Sequence, residues 1–393
     1  MRSCTFVLAA AATAVSAAPR YVMYFDQYVP SRKTVFSSLQ EALLTHRFTL
    51  RWHKATLPPR DVTAGVNYVI TAFAPSSTFT FGSYYEPFMP LSQVRDLFDR
   101  GTKVCMAIGG WGDTSGFSAG AATPDTRKTY AKNVAAALSN LGYDCVDVDW
   151  EYPAGNGQDY KQIPNDQKVS EIETYPLLLE EIKAAIGDKE LSIAVPGKEG
   201  DMIAFTAKQV PRIDKAVDFI NVMTYDIMNR RDNATNHHTS VVDSAHTIDT
   251  YIQRGMTPSK MNLGFAFYAK YFTTKDGAEC ANPTGCPTAV LEAADGSDTG
   301  LSGAVTFEVE NYNNAAFVKA LTNGQTDTAK GGQWYWDSSA KQYWTWDTPD
   351  LVSRKFKEIV ATKKLGGVFA WSLAQDSHDW SHFKAMQAGV KAL

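Results

Sequence analysis

Eight short apolar runs punctuate the chain, separated by longer stretches in which apolar residues recur every three or four positions. The runs span Tyr21 to Phe25, Tyr68 to Phe73, Val104 to Ile108, Cys145 to Trp150, Leu191 to Val195, Phe219 to Tyr225, Leu263 to Tyr268 and Gly367 to Trp371. Most lack polar alternation, which predicts strands buried on both faces, as in a parallel sheet. Between them, Tyr130, Val134, Leu138 and Leu141 mark one helix face, and Leu177, Leu178, Ile182 and Ile186 another. Eight strands alternating with helices predict an α/β fold, a (β/α)8 TIM barrel rather than a doubly wound sheet. The seventh and eighth strands lie about 100 residues apart, too far for one connecting helix. The middle of that gap, 272–345, is rich in Gly, Thr, Asn and Tyr and reads as a small α+β insertion. The expected division is therefore a leader over 1–18, barrel strands one to seven over 19–271, the insertion, and barrel completion with a C-terminal helix over 346–393.

The N-terminus sets the compartment. Arg2, the apolar stretch from Phe6 to Val15 and the small residues up to Ala18 form a secretory signal, too short to span a bilayer. The mature chain is expected to be soluble and secreted. Cys4 leaves with the leader. Cys280 and Cys286 flank a turn-rich ANPTG loop and are expected to form a disulfide. Cys105 and Cys145 sit in apolar runs, where buried free thiols are favoured over a second bridge. Asn233 heads an Asn-Ala-Thr glycosylation sequon. A net charge of -4 and a pI near 6.0 argue against nucleic acid or an acidic membrane as partner, and a monomer is expected. His237-His238 lacks the further ligands of a zinc site, so neither metal nor cofactor is expected.

The fourth run breaks the apolar rule. It reads DCVDVDWE over 144–151. Strand parity sends Cys145, Asp147, Asp149 and Glu151 to one face, and Val146, Val148 and Trp150 to the other. In a barrel the valines meet the helices, and the acids climb the interior toward the C-terminal rim, where barrel enzymes carry their chemistry. Alternate residues are about 6.5–7 Å apart along a strand, so the charges couple and at least one proton is retained at neutral pH. Glu151, outermost, is placed to protonate a leaving-group oxygen, with its pKa raised by Asp149 below it. Such a poised acid points to glycoside hydrolysis, and because all the acids share one strand face the pattern suggests a nucleophile from elsewhere. An N-acetyl group on the sugar can supply it, its carbonyl oxygen attacking the anomeric carbon to form an oxazolinium ion.

DCVDVDWEYP resembles the DxxDxDxE signature of glycoside hydrolase family 18, the chitinases and their relatives. AIGGWG at 107–112 is similar to that family's third-strand motif, MTYD at 223–226 to its sixth, GFAFYAK at 264–270 to its seventh and GGVFAWSL at 366–373 to its eighth. The resemblance implies that Glu151 is the general acid/base, that Asp149 orients the acetamido nitrogen and that Asp147 shares its charge. It implies that Tyr225 donates to the acetamido carbonyl, that Asp226 binds the distorted sugar and that Trp371 forms its apolar floor with Met223 beside it. It implies further that Trp111 stacks on the leaving-group side and that Tyr24 and Tyr268 complete the binding set. Trp150 points outward and is read as packing.

The departures are specific. Ala107 stands where relatives often carry a serine against the inner aspartate, leaving Asp147 to lean on Tyr24 or another group. Cys145 replaces a usual glycine, and its inward parity toward Cys105 favours packing or a cross-strand bond. Lys270 occupies an arginine position. Arg230, Arg231 and Asp232 lie in an altered loop after MTYD, read as sugar-binding or simply solvated. The function implied is a secreted chitinase cleaving β-1,4 bonds between N-acetylglucosamine units with retention. An endo-β-N-acetylglucosaminidase on N-glycans uses the same chemistry. A non-catalytic chitin-binding lectin on the same barrel is disfavoured because Glu151 is kept.

Overall fold

The computed structural model describes residues 18–26 and 57–393; Cys4 and the rest of the expected leader before Ala18 lie outside them. Seven parallel strands follow in order: β1 (Arg20–Asp26), β2 (Tyr68–Ala74), β3 (Lys103–Gly109), β4 (Cys145–Asp149), β5 (Glu190–Pro196), β6 (Phe219–Met223) and β7 (Met261–Ala266). Five more come next, β8 (Tyr268–Thr273), β9 (Ser302–Thr306), β10 (Gln325–Asp327), β11 (Gly332–Asp337) and β12 (Gln342–Trp346). Then β13 (Gly367–Trp371) pairs with both β7 and β1 and closes an eight-stranded barrel. The predicted barrel is the observed fold.

Parity sorts the side chains into two shells. Val22, Tyr24, Ile70, Cys105, Cys145, Ala194 and Phe369 fill the interior. Tyr21, Met23, Val104, Val146, Val148 and Leu191 point outward into the layer between strands and helices. Helix α1 (Pro124–Leu141) starts at Thr123, whose side chain accepts from the Thr126 amide, and ends at Gly142 in the left-handed region, φ 81°. It buries Tyr130, Val134 and Leu138 as its spacing predicts. Helix α2 (Glu171–Ile186) differs slightly: its inner face carries Tyr175, Leu178, Leu179, Ile182 and Ile186, with Leu177 turned aside. A full stripe needs both the i+3 and the i+4 neighbour of Tyr175, and Leu177 is neither. Helix α3 (Val241–Gln253) follows β6 and is capped by Ser240.

Strands β8 to β12 form a separate antiparallel sheet, ordered β10-β11-β12-β8-β9, packed by α4 (Ala315–Asn323). The apolar run expected to continue strand seven to Tyr268 breaks at Phe267. Tyr268 instead pairs with Thr306 in the second sheet. A buried node ties that sheet to the barrel. Lys355, at the end of α5 (Pro349–Lys355), donates to Asp347 (2.6 Å) and Thr239 (2.5 Å), both fully buried. His382, on α6 (Ser381–Lys391), donates to the Asp347 carbonyl (2.8 Å) and pairs with Asp376 (2.7 Å).

The reading of Cys105 and Cys145 as free thiols is corrected. They are register partners across β3 and β4, both inward, with Cα atoms 4.4 Å apart, and they are disulfide-bonded. In-register inward residues on neighbouring strands bring their sulfurs within bonding reach. Cys280 and Cys286 are also bonded. Among the described residues no helix is long and apolar enough to cross a membrane.

Candidate active site

The acids of β4 rise through the barrel as parity requires. Asp147 is fully buried, Asp149 is 3% exposed, and Glu151, just past the strand end, faces the cleft at the mouth. Val146, Val148 and Trp150 lie in the outer shell, where Trp150 stacks on Phe117 with ring centroids 5.3 Å apart. The glycines of AIGGWG make room for the ladder. Gly109 and Gly110 hold φ of 106° and 88°, and a Cβ on Gly109 would stand 2.3 Å from the Asp149 carbonyl.

Asp147 is held from three strands. Tyr24 on β1 donates to its Oδ2 (2.7 Å), while Ser192 on β5 (2.5 Å) and Asn221 on β6 (3.2 Å) donate to Oδ1. Tyr24 thus serves Asp147 from a buried position beside Trp371, their ring centroids 5.7 Å apart. Ser192 and Asn221 escaped the sequence reading. Their signal was a lone polar residue at an inward position of an otherwise apolar strand. Asp149 has a buried Oδ1 with no hydrogen-bond partner.

Burial is the largest influence on all three ionisations. It raises Asp147 to about 6 against the three donors, which favour the anion. It raises Asp149 well above the ordinary range, with repulsion from Glu151 and Asp147 adding to it. It raises Glu151 to about 7; Tyr152 opposes this, and Asp226 and Asp201 reinforce it. Burial is thus the first cause of Glu151's shift, and Glu151 and Asp149 repel each other besides. Desolvation acts first, and the mutual repulsion keeps a proton on the more deeply buried Asp149.

Around the ladder, Tyr225, Met223, Trp371 and Phe73 line one continuous cleft of about 660 Å3, with Trp111 and Tyr152 on its rim. Trp371 stacks on Phe73 (centroids 5.6 Å apart), and Trp111, 49% exposed, meets Tyr152 edge-on at 6.3 Å. Asp226 adopts φ 54°, which aspartate tolerates better than most side chains. There it accepts from Tyr268 (3.0 Å) and pairs with Lys270 (3.0 Å), with His238 3.6 Å away. Burial alone would raise Asp226, but Lys270 and His238 outweigh it and hold the carboxyl well below its usual range. Lys270 fills the arginine position as a point charge. His238 went unremarked as a neighbour of Asp226 because only the chain's return past β6 brings them together.

The loop after MTYD is neither free nor simply solvated. Arg230 pairs with Glu292 (3.1 Å), Arg231 with Asp201 (2.8 Å) and Asp232 with Lys198 (2.5 Å). Tyr160, in the loop after β4, donates to Glu292 in the inserted segment. His237 is partnered by Asp327. Among the described residues no group of three or more His, Cys, Asp or Glu is arranged to hold a metal. Asn233 is exposed, while Thr235 of its sequon is buried against Cys286.

A closed parallel barrel with a carboxylate ladder at its C-terminal mouth defines the class, a barrel whose ionisable groups gather at the end where this fold carries its chemistry. The family follows from comparison: residues 20–376 match the family model of glycosyl hydrolases family 18, and the chain belongs to that family. It is 28% identical over 290 residues to Endochitinase 1 of Metarhizium anisopliae, a match covering 71% of this chain and 62% of that protein. It is likewise 28% identical to Chitinase A1 of Niallia circulans over 74% of this chain and 42% of that one. The chain thus spans under two thirds of the length of these relatives. In fold it resembles a chitinase from Rhizomucor miehei, with TM-score 0.71, 17% identity, and coverage of 94% and 99% of the two chains. It also resembles catalytic domain 2 of the Ostrinia furnacalis Group II chitinase, with TM-score 0.70, 19% identity, and coverage of 95% and 97%.

Proposed function

We propose that this chain is a secreted chitinase that hydrolyses β-1,4 bonds between N-acetylglucosamine units with retention, through substrate-assisted catalysis. The observation that carries the reading is the Asp147–Asp149–Glu151 ladder. Its outer acid is tuned to hold a proton near neutrality, and its middle acid ends in an unpartnered buried oxygen. Glu151 donates its proton to the glycosidic oxygen as the C1–O bond breaks. The acetamido carbonyl oxygen of the same sugar closes on C1 to give the oxazolinium, and Asp149 accepts from its N–H. The Tyr225 hydroxyl steadies the carbonyl for attack. Water then adds to C1 from the face the leaving group vacated. Glu151 takes its proton, so configuration at C1 is retained. Trp371 supports the sugar from below, Trp111 stacks beyond the cleaved bond, and Asp226 with Tyr268 and Met223 frames the side.

The names of the relatives, Endochitinase 1 and Chitinase A1, support chitin as substrate. The leader sequence and two disulfides favour an oxidising, extracellular compartment, and exposed Asn233 suits glycosylation there.

The test is product analysis by early-time NMR and mass spectrometry on chitohexaose, with wild type and Glu151→Gln. Short oligomers released as the β-anomer by wild type, and none from a variant that still binds, are expected. An α-anomer would overturn the substrate-assisted mechanism, and turnover by Glu151→Gln would remove it as the acid. If wild type leaves the hexamer intact but binds it, the N-glycan core becomes the substrate to try.

A further inference from the structure

The layer of the barrel that holds Asp147 is asymmetric. Asp147 is in register with Ala107 on β3 on one side and with Ser192 on β5 on the other, all three pointing inward. Ala107 offers no hydrogen bond. Ser192, 1% exposed, offers a short one of 2.5 Å to Oδ1. We propose that Ser192 is the positioning residue of the carboxylate ladder, supplying from β5 the hydrogen bond that Ala107 cannot supply from β3 and so holding Asp147 beneath Asp149.

The rest of the layer cannot take over this task. Asn221 also reaches Oδ1, but more weakly at 3.2 Å, and its amide serves the Tyr24 hydroxyl (3.0 Å) as well. Its orientation is locked from below. Asn262 donates to the Asn221 carbonyl oxygen (2.9 Å), and Arg20 donates to Asn262 (2.9 Å). Tyr24 is committed to Oδ2. The ionisable groups facing Asp147 are Tyr24 from β1, Asp149 from its own strand and Tyr225 beyond β6. Tyr175 acts on it from the outer shell, and no cation among the described residues touches it. Neutral donors alone therefore favour the anion at Asp147, and an anion there adds its repulsion to the burial that already holds a proton on Asp149.

The inference rests on the proposed reaction for its catalytic meaning but not for its test. In a carboxyl-carbon NMR titration, with Asp147 assigned by Asp147→Asn, Ser192→Ala is expected to move Asp147 upward by about one pH unit. Ser192→Thr keeps the hydroxyl and is expected to titrate as wild type. Ala107→Ser combined with Ser192→Ala returns a hydroxyl to the layer from the opposite neighbour and is expected to restore the wild-type value. On chitohexaose, the acid limb of kcat/KM should move with the titration and kcat should fall about tenfold in Ser192→Ala, with rescue in the other two. An unmoved Asp147 titration in folded Ser192→Ala would overturn the proposal. So would a titration that moves while the acid limb stays. A wild type that does not cleave chitohexaose would count against the substrate, and the titration would still decide the role of Ser192.

Discussion

Glu151 holds its proton chiefly because it is withdrawn from water, and the consequence for stability is measurable. Glu151 is raised to about 7 chiefly by burial, so the folded chain binds that proton more tightly than the unfolded chain does. The resulting stability is fully present below about pH 4.5 and is lost as pH rises through about 7. Glu151→Gln cannot ionise and loses nothing over that window. Its thermal midpoint relative to wild type is therefore expected to climb between pH 5 and pH 8, by an amount on the order of 3 kcal/mol in unfolding free energy. A pH-independent difference would show that Glu151 ionises as freely as an exposed carboxyl. On the proposed assignment the same proton sets the basic limb of activity near pH 7, since only the protonated acid can donate.

Among the elements, β3 and β4 carry a constraint that no other strand pair of the barrel has in the described residues. The Cys105–Cys145 bond closes a loop of 40 residues that contains all of α1, whereas Cys280–Cys286 closes one of only 6. In the chain-entropy account the first restricts the unfolded ensemble by about 4 kcal/mol and the second by about 2 kcal/mol. Replacing Cys105 and Cys145 by alanine should lower the urea midpoint more than the same change at Cys280 and Cys286. The reverse order, read by tryptophan fluorescence, would mean that native packing around the inner bridge already does its work. The bridge also lies one layer below Asp147, on the same inward face of β4, so its loss should be felt at the ladder as well as in stability.

At the scale of the whole molecule, the fully buried Lys355–Asp347 ion pair is one of the links between the inserted sheet and the barrel. Burial lowers the pKa of Lys355, and Asp347 opposes that shift. Removing one partner leaves the other charge stranded, which typically costs about 3–5 kcal/mol. Asp347→Ala should therefore destabilise by about that much, while Asp347→Leu with Lys355→Met should cost far less. Equal losses in the two variants would show that the node stabilises through packing alone. His382 adds a second pH dependence. Burial would lower its pKa, but Asp376 outweighs that and raises it, so its contribution is present in acid and fades as pH rises through the raised value.

The order of strands, the two shells of side chains and the inward column of Asp147, Asp149 and Glu151 were all legible in the sequence. They depend only on local periodicity, and a strand's parity does not change with what it packs against. What the sequence could not show is which residues meet across the barrel. That Ser192 and Asn221 hold Asp147, that Cys105 reaches Cys145, that Tyr268 leaves the seventh strand for another sheet and that Lys270 and His238 hold Asp226 all follow from register and chain return. Most of these contacts join residues 40 or more positions apart in the chain. Those contacts exist only once strands pair and the barrel closes, so the tertiary structure alone decided them.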